Sequence, residues 1–136
     1  MTLALDTNVF VDLIRGRQPL VRQRHAAAIL AGEAMVTSLV VFHELQFGIA
    51  VSRDPVNEAL NVDEAFLGVE IVPLTLEDMQ MAAQVRATLR RQGAPIGPYD
   101  ALIAGQALAR GWTLVTSNTG EFARVPGLDI QDWSQS

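Results

Sequence analysis

Short apolar runs alternate with longer, helix-patterned segments along this chain, and this alternation limits the folds open to it. Five runs have the length of short strands, at 3–5, 35–37, 70–73, 113–116 and 128–130. The segments between the first four runs repeat apolar residues at helical spacing. Strands that alternate with helices pair in parallel, and helices then cover both faces of the sheet. The sequence therefore predicts an α/β fold, a three-layer α/β/α sandwich around a short, mainly parallel sheet of four to five strands.

Capping residues and glycines set the ends of the predicted helices. Asp6 stands at the N-cap of the first helix, whose apolar pattern ends at Gly16. Further helices are predicted at 20–31, 39–51, 55–66, 76–92 and 99–110. The helix at 76–92 opens on a capping box formed by Thr75 and Asp78. No linker or repeat interrupts this series, so the sequence predicts one domain that spans residues 1–136.

The 136 residues include 10 basic side chains, all of them arginine, and no cysteine. The lack of lysine excludes a P-loop nucleotide site and Schiff-base chemistry. The lack of cysteine excludes thiolate nucleophiles, disulfides and iron–sulfur clusters. The apolar runs are too short to cross a bilayer, and no basic segment opens the chain as in a secretory signal. We therefore expect a cytoplasmic protein without a membrane partner.

Four polar side chains are predicted to meet at one edge of the sheet. Asp6 directly follows the first strand, and Glu44 lies in the helix that follows the second. The helix at 99–110 must return to the start of the fourth strand, so Asp100 at its beginning lies at the carboxyl edge. Asn118 follows the fourth strand at the same edge. Because ligands of open parallel sheets bind beyond the carboxyl ends of the strands, these four residues are the candidate catalytic residues.

The carboxylates of Asp6, Glu44 and Asp100 would repel one another unless a positive charge lay between them. The chain has no lysine, and its two histidines, His25 and His43, show no metal-ligand pattern and are interpreted as non-catalytic. A hard divalent cation is then the natural counter-charge. An all-oxygen site favours Mg²⁺, with Mn²⁺ as a substitute, over zinc.

Each of these residues also has a purely structural interpretation. Asp6 can serve only as a helix N-cap, and Asp100 can serve only to offset the dipole of its helix. Glu44 can lie on a narrow exposed stripe, although its helix is apolar on most sides. Asn118 taken alone is an ordinary loop residue. The predicted convergence of all four is what favours a functional site.

Four blocks of the sequence, in order and across nearly the whole chain, resemble PIN-domain ribonucleases. They are 5–8 (LDTN), 43–48 (HEL and the following Gly48), 97–104 (GPYDALIA) and 115–122 (VTSNTGEF), followed by 125–127 (VPG) and the closing pair 132–133 (DW). In particular, the chain resembles the VapC-type toxins of bacterial toxin–antitoxin pairs. The resemblance implies a PIN-like fold over the single domain and an endoribonuclease activity that depends on a divalent metal.

The resemblance also assigns roles to individual positions. Asp6, Glu44 and Asp100 match the family's metal ligands, Glu44 directly or through a water, and a metal-activated water would attack the phosphodiester bond of RNA. Many members carry a fourth acid after the last core strand, where this chain has Asn118. Glu121 could replace it, although a glutamate is more often exposed to solvent than buried. Thr7 and Thr116 match positions whose hydroxyl groups support a ligand or a phosphate in the family.

The resemblance further implies a VapB-like antitoxin partner, a homodimer, and a structured RNA substrate such as a transfer RNA or a ribosomal RNA loop. The acidic pI of about 4.8 runs against RNA binding, but the arginines are grouped. One group is Arg15, Arg17, Arg22 and Arg24, and the other is Arg86, Arg90 and Arg91. These groups either contact phosphates or form solvated helix faces.

Two other functions compete with this hypothesis. A haloacid-dehalogenase-type phosphatase also begins with an aspartate after its first strand, but it needs a second acid where this chain has Asn8, and it needs a lysine. A non-catalytic PIN scaffold that binds RNA or antitoxin would explain the amide at Asn118. Metal-dependent cleavage of RNA separates the enzyme from both alternatives.

Overall fold

The computed structural model describes residues 1–136, and its centre is a five-stranded sheet. The strands are β1 (Thr2–Leu5), β2 (Ala34–Ser38), β3 (Val69–Val72), β4 (Thr113–Val115) and β5 (Ile130–Gln131). They lie in the order β3-β2-β1-β4-β5, and every neighbouring pair is parallel. The central position of β1 brings the carboxyl ends of β2, β1 and β4 side by side. The predicted α/β sandwich is confirmed, with five strands.

Seven helices accompany the sheet. They are α1 (Thr7–Arg15), α2 (Pro19–Leu30), α3 (Leu39–Ala50), α4 (Pro55–Ala65), α5 (Leu76–Arg91), α6 (Pro98–Arg110) and α7 (Thr119–Phe122). Helices α1 to α4 contact one another as one group, while α5 and α6 pack together as a pair. None of the helices combines the length and the apolar character that crossing a bilayer requires.

The apolar core holds the central strand rigidly. Leu3, Ala4 and Leu5 of β1 are all buried, and Leu114 and Val115 of the neighbouring β4 are fully buried. Because helices cover both faces of these strands, their sequences are almost continuously apolar and do not alternate with polar residues. The buried backbone of β1 thus directly precedes Asp6, and that of β4 directly precedes Thr116.

Helices α5 and α6 form a close antiparallel pair. Their backbones approach at Gly105, where an added Cβ would lie 2.5 Å from the backbone of Ala82. At the start of α5, the buried carboxylate of Asp78 accepts two hydrogen bonds from Arg110 at the end of α6, at 3.1 and 3.0 Å. The predicted capping box at Thr75 is present, with Asp78 as its second member. These contacts fix the register in which α6 presents its first turn to the sheet edge.

Near the C-terminus the structure differs from the sequence-based prediction in two places. The fifth strand, predicted at 128–130, covers Ile130–Gln131. The left-handed conformation of Gly127 and a hydrogen bond from the Leu128 N–H to the Val125 carbonyl close a turn there, so pairing with β4 begins later. Helix α7 is absent from the prediction because its four residues are too few to show a helical repeat.

Candidate functional site

A polar cleft of about 420 Å³ opens at the carboxyl edge of the sheet. Its lining contains all four candidate catalytic residues: Asp6, Glu44, Asp100 and Asn118. The other lining residues are Thr7, Asn8, Val11, Asp12, Gln18, Ser117 and Ser134. The cleft therefore contains four acidic side chains, at positions 6, 12, 44 and 100, and no basic side chain. An uncompensated negative charge on this scale attracts cations and repels phosphate.

Asp6 is the most buried carboxylate of the cleft, with a relative exposure of 5%. One of its oxygens accepts the backbone N–H of Thr7 at 2.8 Å, which caps α1 as predicted. The other accepts the hydroxyl of Thr116 at 2.7 Å and the side-chain amide of Asn8 at 3.1 Å. Burial raises the pKa of Asp6, and these hydrogen bonds partly oppose that shift.

Thr116 and Asn8 connect the ends of β1 and β4 behind Asp6. Besides donating to Asp6, the fully buried Thr116 hydroxyl accepts the Asn8 amide at 3.1 Å and the backbone N–H of Asn118 at 3.0 Å. The side-chain oxygen of Asn8 (Oδ1) accepts the backbone N–H of Ser117 at 3.1 Å. Thr116 thus has the supporting position that the family resemblance gives it. Asn8 was not among the candidate residues, and its place in the 5–8 block was the only sequence signal for it.

Glu44 reaches the cleft from α3 and is half-buried. Burial raises its pKa, the neighbouring Thr7 hydroxyl lowers it, and the charge of Asp6 raises it again. The narrow exposed stripe proposed as an alternative for Glu44 is therefore not its environment. The Thr7 hydroxyl oxygen is buried and lies near Glu44, but it forms no hydrogen bond of good geometry with any group. A buried hydroxyl beside two carboxylates is a ready position for a metal-bound water.

Asp100 projects from the first turn of α6 and has the most strongly shifted pKa of the site. Desolvation raises the pKa of its carboxyl group to about 7, with further contributions from a hydrogen bond to Glu121 and from the charges of Asp6, Glu121 and Glu44. The same contact to Asp100 lowers the pKa of Glu121. Asp100 and Glu121 therefore titrate as a pair, in which the pKa of Asp100 is raised and that of Glu121 is lowered.

The position of Glu121 corrects the sequence-based expectation that it lies in solvent. The short helix α7 turns the chain back, so Glu121 is partly buried and contacts Asp100. The side-chain amide of Asn118 donates to Glu121 at 3.4 Å. Asn118 thus lines the cleft as expected. Its side-chain amide donates to Glu121, which was predicted to lie in solvent.

The donor set of the cleft fits a hard divalent cation. Burial raises the pKa values of Asp6, Glu44 and Asp100, and no basic side chain lines the cleft to offset the shift. All the available donors are oxygens, which suits Mg²⁺ or Mn²⁺. No group of three acidic side chains is already close enough to form a ligand set. Cation binding therefore requires these side chains to move closer together and Asp100 to be ionised.

Comparison with known proteins gives a consistent result. Residues 3–128 match the PIN domain family. The chain is 39% identical over 131 residues to the tRNA(fMet)-specific endonuclease VapC of Shigella flexneri, a match that covers 96% of each chain. Among solved structures, DNA-bound VapBC from Salmonella typhimurium matches with a TM-score of 0.88 and 33% identity, covering 98% of both chains. VapBC2 from Rickettsia felis, bound to a DNA fragment from its promoter, matches with a TM-score of 0.89 and 27% identity, covering 96% of this chain and 98% of the other.

Proposed function

This chain belongs to the PIN-domain family and, within it, to the VapC ribonucleases, and on that premise we propose that its acidic cleft is a Mg²⁺-dependent endoribonuclease site. PIN-domain nucleases depend on a divalent metal, and Mg²⁺ is the ion that an all-oxygen cleft favours. The observation that supports the proposal most strongly is that Asp6, Glu44 and Asp100 line one cleft that contains no basic side chain. Helix capping accounts for Asp6 and the helix dipole for Asp100, but neither explains why these two carboxylates meet Glu44 in one cleft.

The chain's own residues have distinct tasks in this proposal. Asp6 and Asp100 would hold the ion directly, and Glu44 would hold it directly or through a water. When bound, Mg²⁺ lowers the pKa of water and offsets charge on phosphoryl oxygens, so that hydrolysis leaves a 5′-phosphate and a 3′-hydroxyl end. Thr116 and Asn8 fix the orientation of the Asp6 carboxylate through their hydrogen bonds.

We infer that Glu121 supplies the fourth acid of the site and that Asn118 orients it. Glu121 contacts Asp100, and Asn118 donates to Glu121. An amide adds no negative charge, whereas a carboxylate in this position strengthens the attraction for a cation. The site thereby retains four acids even though Asn118 stands where a carboxylate is common.

The substrate and the protein partner follow from the relatives. One relative is named a tRNA(fMet)-specific endonuclease, so we propose a structured RNA, and transfer RNA first, as the substrate. The solved neighbours are VapBC complexes, so we propose a VapB-like antitoxin as partner, a homodimeric toxin, and a cytoplasmic location. Beside the cleft lies a groove of about 470 Å³ whose lining includes Val11, Phe47 and Tyr99. A partly apolar antitoxin segment would fit it and bring a basic side chain to the carboxylates.

Mg²⁺ addition is expected to start cleavage of a transfer RNA transcript by the purified chain, and excess EDTA is expected to stop it. Mn²⁺ is expected to restore activity in the chelated protein, since it accepts the same oxygen ligands. Product ends are identified by their response to phosphatase and ligase. Release of inorganic phosphate from small monoesters would instead support a phosphatase. RNA binding without cleavage under every metal condition would support the non-catalytic scaffold.

A further inference from the structure

A second cavity, of about 430 Å³, lies at the C-terminal end of α5 and contains no acidic side chain. Three arginines line it, Arg86, Arg90 and Arg91, together with small and apolar residues that include Ala83, Ala87 and Ile96. All three arginines are exposed to solvent. In a chain of net charge -5, three of the ten positive charges thus face one cavity.

These three guanidinium groups have no partner within the protein. The one ion pair of the chain joins Arg110 to Asp78, and no side-chain hydrogen bond involves the three cavity arginines. In the N-terminal arginine group, by contrast, Arg22 and Arg24 donate to the backbone carbonyls of Leu13 and Gln135. The α5 cavity is therefore a surface where three arginines lie together without a protein partner.

The helix dipole explains only part of this arrangement. Basic residues in the last turn of a helix are stabilised by the carbonyl groups there, which accounts for Arg90 and Arg91. Arg86 lies more than one turn earlier and gains nothing from that effect. An anion bound in the cavity would offset the charge of all three arginines that line it.

The cavity lies at the same end of the α5–α6 pair as the first turn of α6, which carries Asp100. The contacts of Asp78 with Arg110 and of Ala82 with Gly105 show that α5 and α6 are antiparallel, so the basic end of α5 lies beside the start of α6, where Asp100 is. On the other side, Arg124 donates to the carbonyl of the cavity residue Pro95 at 3.2 Å. The cavity is thus connected to the segment that carries Asp100 and to the segment that follows Glu121.

We propose that the cavity lined by Arg86, Arg90 and Arg91 binds backbone phosphates of the RNA strand beside the bond that is cut. This inference rests on the proposed ribonuclease function. The acidic cleft itself repels phosphate, so affinity for RNA must come from cations outside it. Guanidinium groups bind phosphate oxygens through two parallel hydrogen bonds, which lysine cannot do. Small and apolar lining residues leave room for the sugar between phosphates.

The test measures binding of a fluorescent transfer RNA transcript in Mg²⁺ over a range of salt concentrations. An Asp100→Asn background prevents cleavage during the measurement. The triple substitution Arg86→Gln, Arg90→Gln and Arg91→Gln is expected to weaken binding roughly 10- to 100-fold at low salt. A plot of log affinity against log salt concentration is also expected to become less steep, its slope falling in magnitude by about 2. Each lost phosphate contact lowers that slope by about 0.7–0.9.

Two control variants in the same background separate charge from geometry. Arg53→Gln removes an exposed arginine from the loop between α3 and α4 and is expected to leave affinity and slope unchanged. The triple Arg→Lys variant is expected to keep the slope and to lose part of the affinity, because lysine retains the charge without the two parallel bonds. Thermal unfolding of each variant verifies that it is folded.

An unchanged affinity and slope in the triple Gln variant would overturn the inference. A triple Gln variant that loses affinity for an acidic peptide but not for RNA would also overturn it, in favour of a protein ligand. Wild-type cleavage is measured in parallel. If the wild type cuts RNA, and the triple Gln substitution made without Asp100→Asn cuts equally well at RNA concentrations below saturation, the inference fails and the proposed function stands. If the wild type cuts nothing but the salt slope still falls, the function fails and the phosphate site stands.

Discussion

Asp100→Asn is expected to lower RNA cleavage by at least about 100-fold while leaving the protein folded. In the proposed site the substitution replaces a metal ligand, and loss of an outer partner of such a ligand alone reduces affinity or activity by about 10–100-fold. Single-turnover cleavage of a transfer RNA transcript in saturating Mg²⁺ gives the rate. The amide has nearly the shape of the carboxyl group, so the loss reports charge and not packing.

The same variant is expected to be more stable than the wild type when both are free of metal. Because the pKa of Asp100 is raised to about 7, the folded protein retains a proton that the unfolded chain has already lost between about pH 4 and pH 7. The wild type therefore loses stability as the pH rises through that range, and the loss is complete above pH 7. Asp100→Asn removes this loss. Because the group is partly exposed and screened by solvent, the free energy of unfolding is expected to rise by only about 1 kcal/mol at pH 8.

A matched substitution tests whether these effects belong to the cleft. Asp63→Asn makes the same chemical change on the exposed surface of α4. It is expected to leave both the cleavage rate and the pH dependence of unfolding in EDTA as they are in the wild type. Cleavage by Asp100→Asn at the wild-type rate would remove Asp100 from the metal site.

Gly105→Ala is expected to destabilise the fold by about 3 kcal/mol. An added Cβ would lie 2.5 Å from the Cα and N atoms of Ala82, so the backbones of α5 and α6 must move apart. Overpacking of this kind costs about 1–3 kcal/mol, and backbone atoms have less freedom to yield than side chains. Chemical denaturation by urea measures the change in the free energy of unfolding.

Gly48→Ala provides the control for the same substitution in another helix. Gly48 lies in α3, and an added Cβ there meets nothing within 4 Å. The change is expected to stabilise the protein by up to about 1 kcal/mol, because alanine favours the helix over glycine. Destabilisation of similar size at both positions would show that the close approach of α5 and α6 is not what requires Gly105.

The sequence predicted the features that depend on periodic patterns and on chain reach. Buried parallel strands and amphipathic helices repeat over many residues, so the sheet and six helices were identified with small errors at their ends. The convergence of Asp6, Glu44 and Asp100 followed from the rule that every parallel strand ends at the same edge. The capping box at Thr75 was found because its two residues have a fixed spacing.

The features that the sequence did not predict depend on single contacts between distant residues. Helix α7 is one turn long and has no repeat, so the return of Glu121 to Asp100 could not be predicted. The hydrogen bond of Asn8 to Thr116 joins residues more than a hundred positions apart. The cavity at the end of α5 combines a helix face with the loop that contains Pro95, and only the packing of α5 on α6 places them together.

Calorimetric titration of the metal-free chain with Mg²⁺, at pH 6.5 in buffers of different ionisation enthalpy, tests most directly whether the carboxylates of the cleft hold the ion. Because the pKa of Asp100 is about 7, binding is expected to release a proton at this pH, and the release is expected to vanish at pH 8. Asp6→Asn and Asp100→Asn are each expected to weaken binding at least tenfold, and the second also to abolish the proton release. Mg²⁺ binding of equal affinity in the wild type and both variants, with no proton released, would contradict the account.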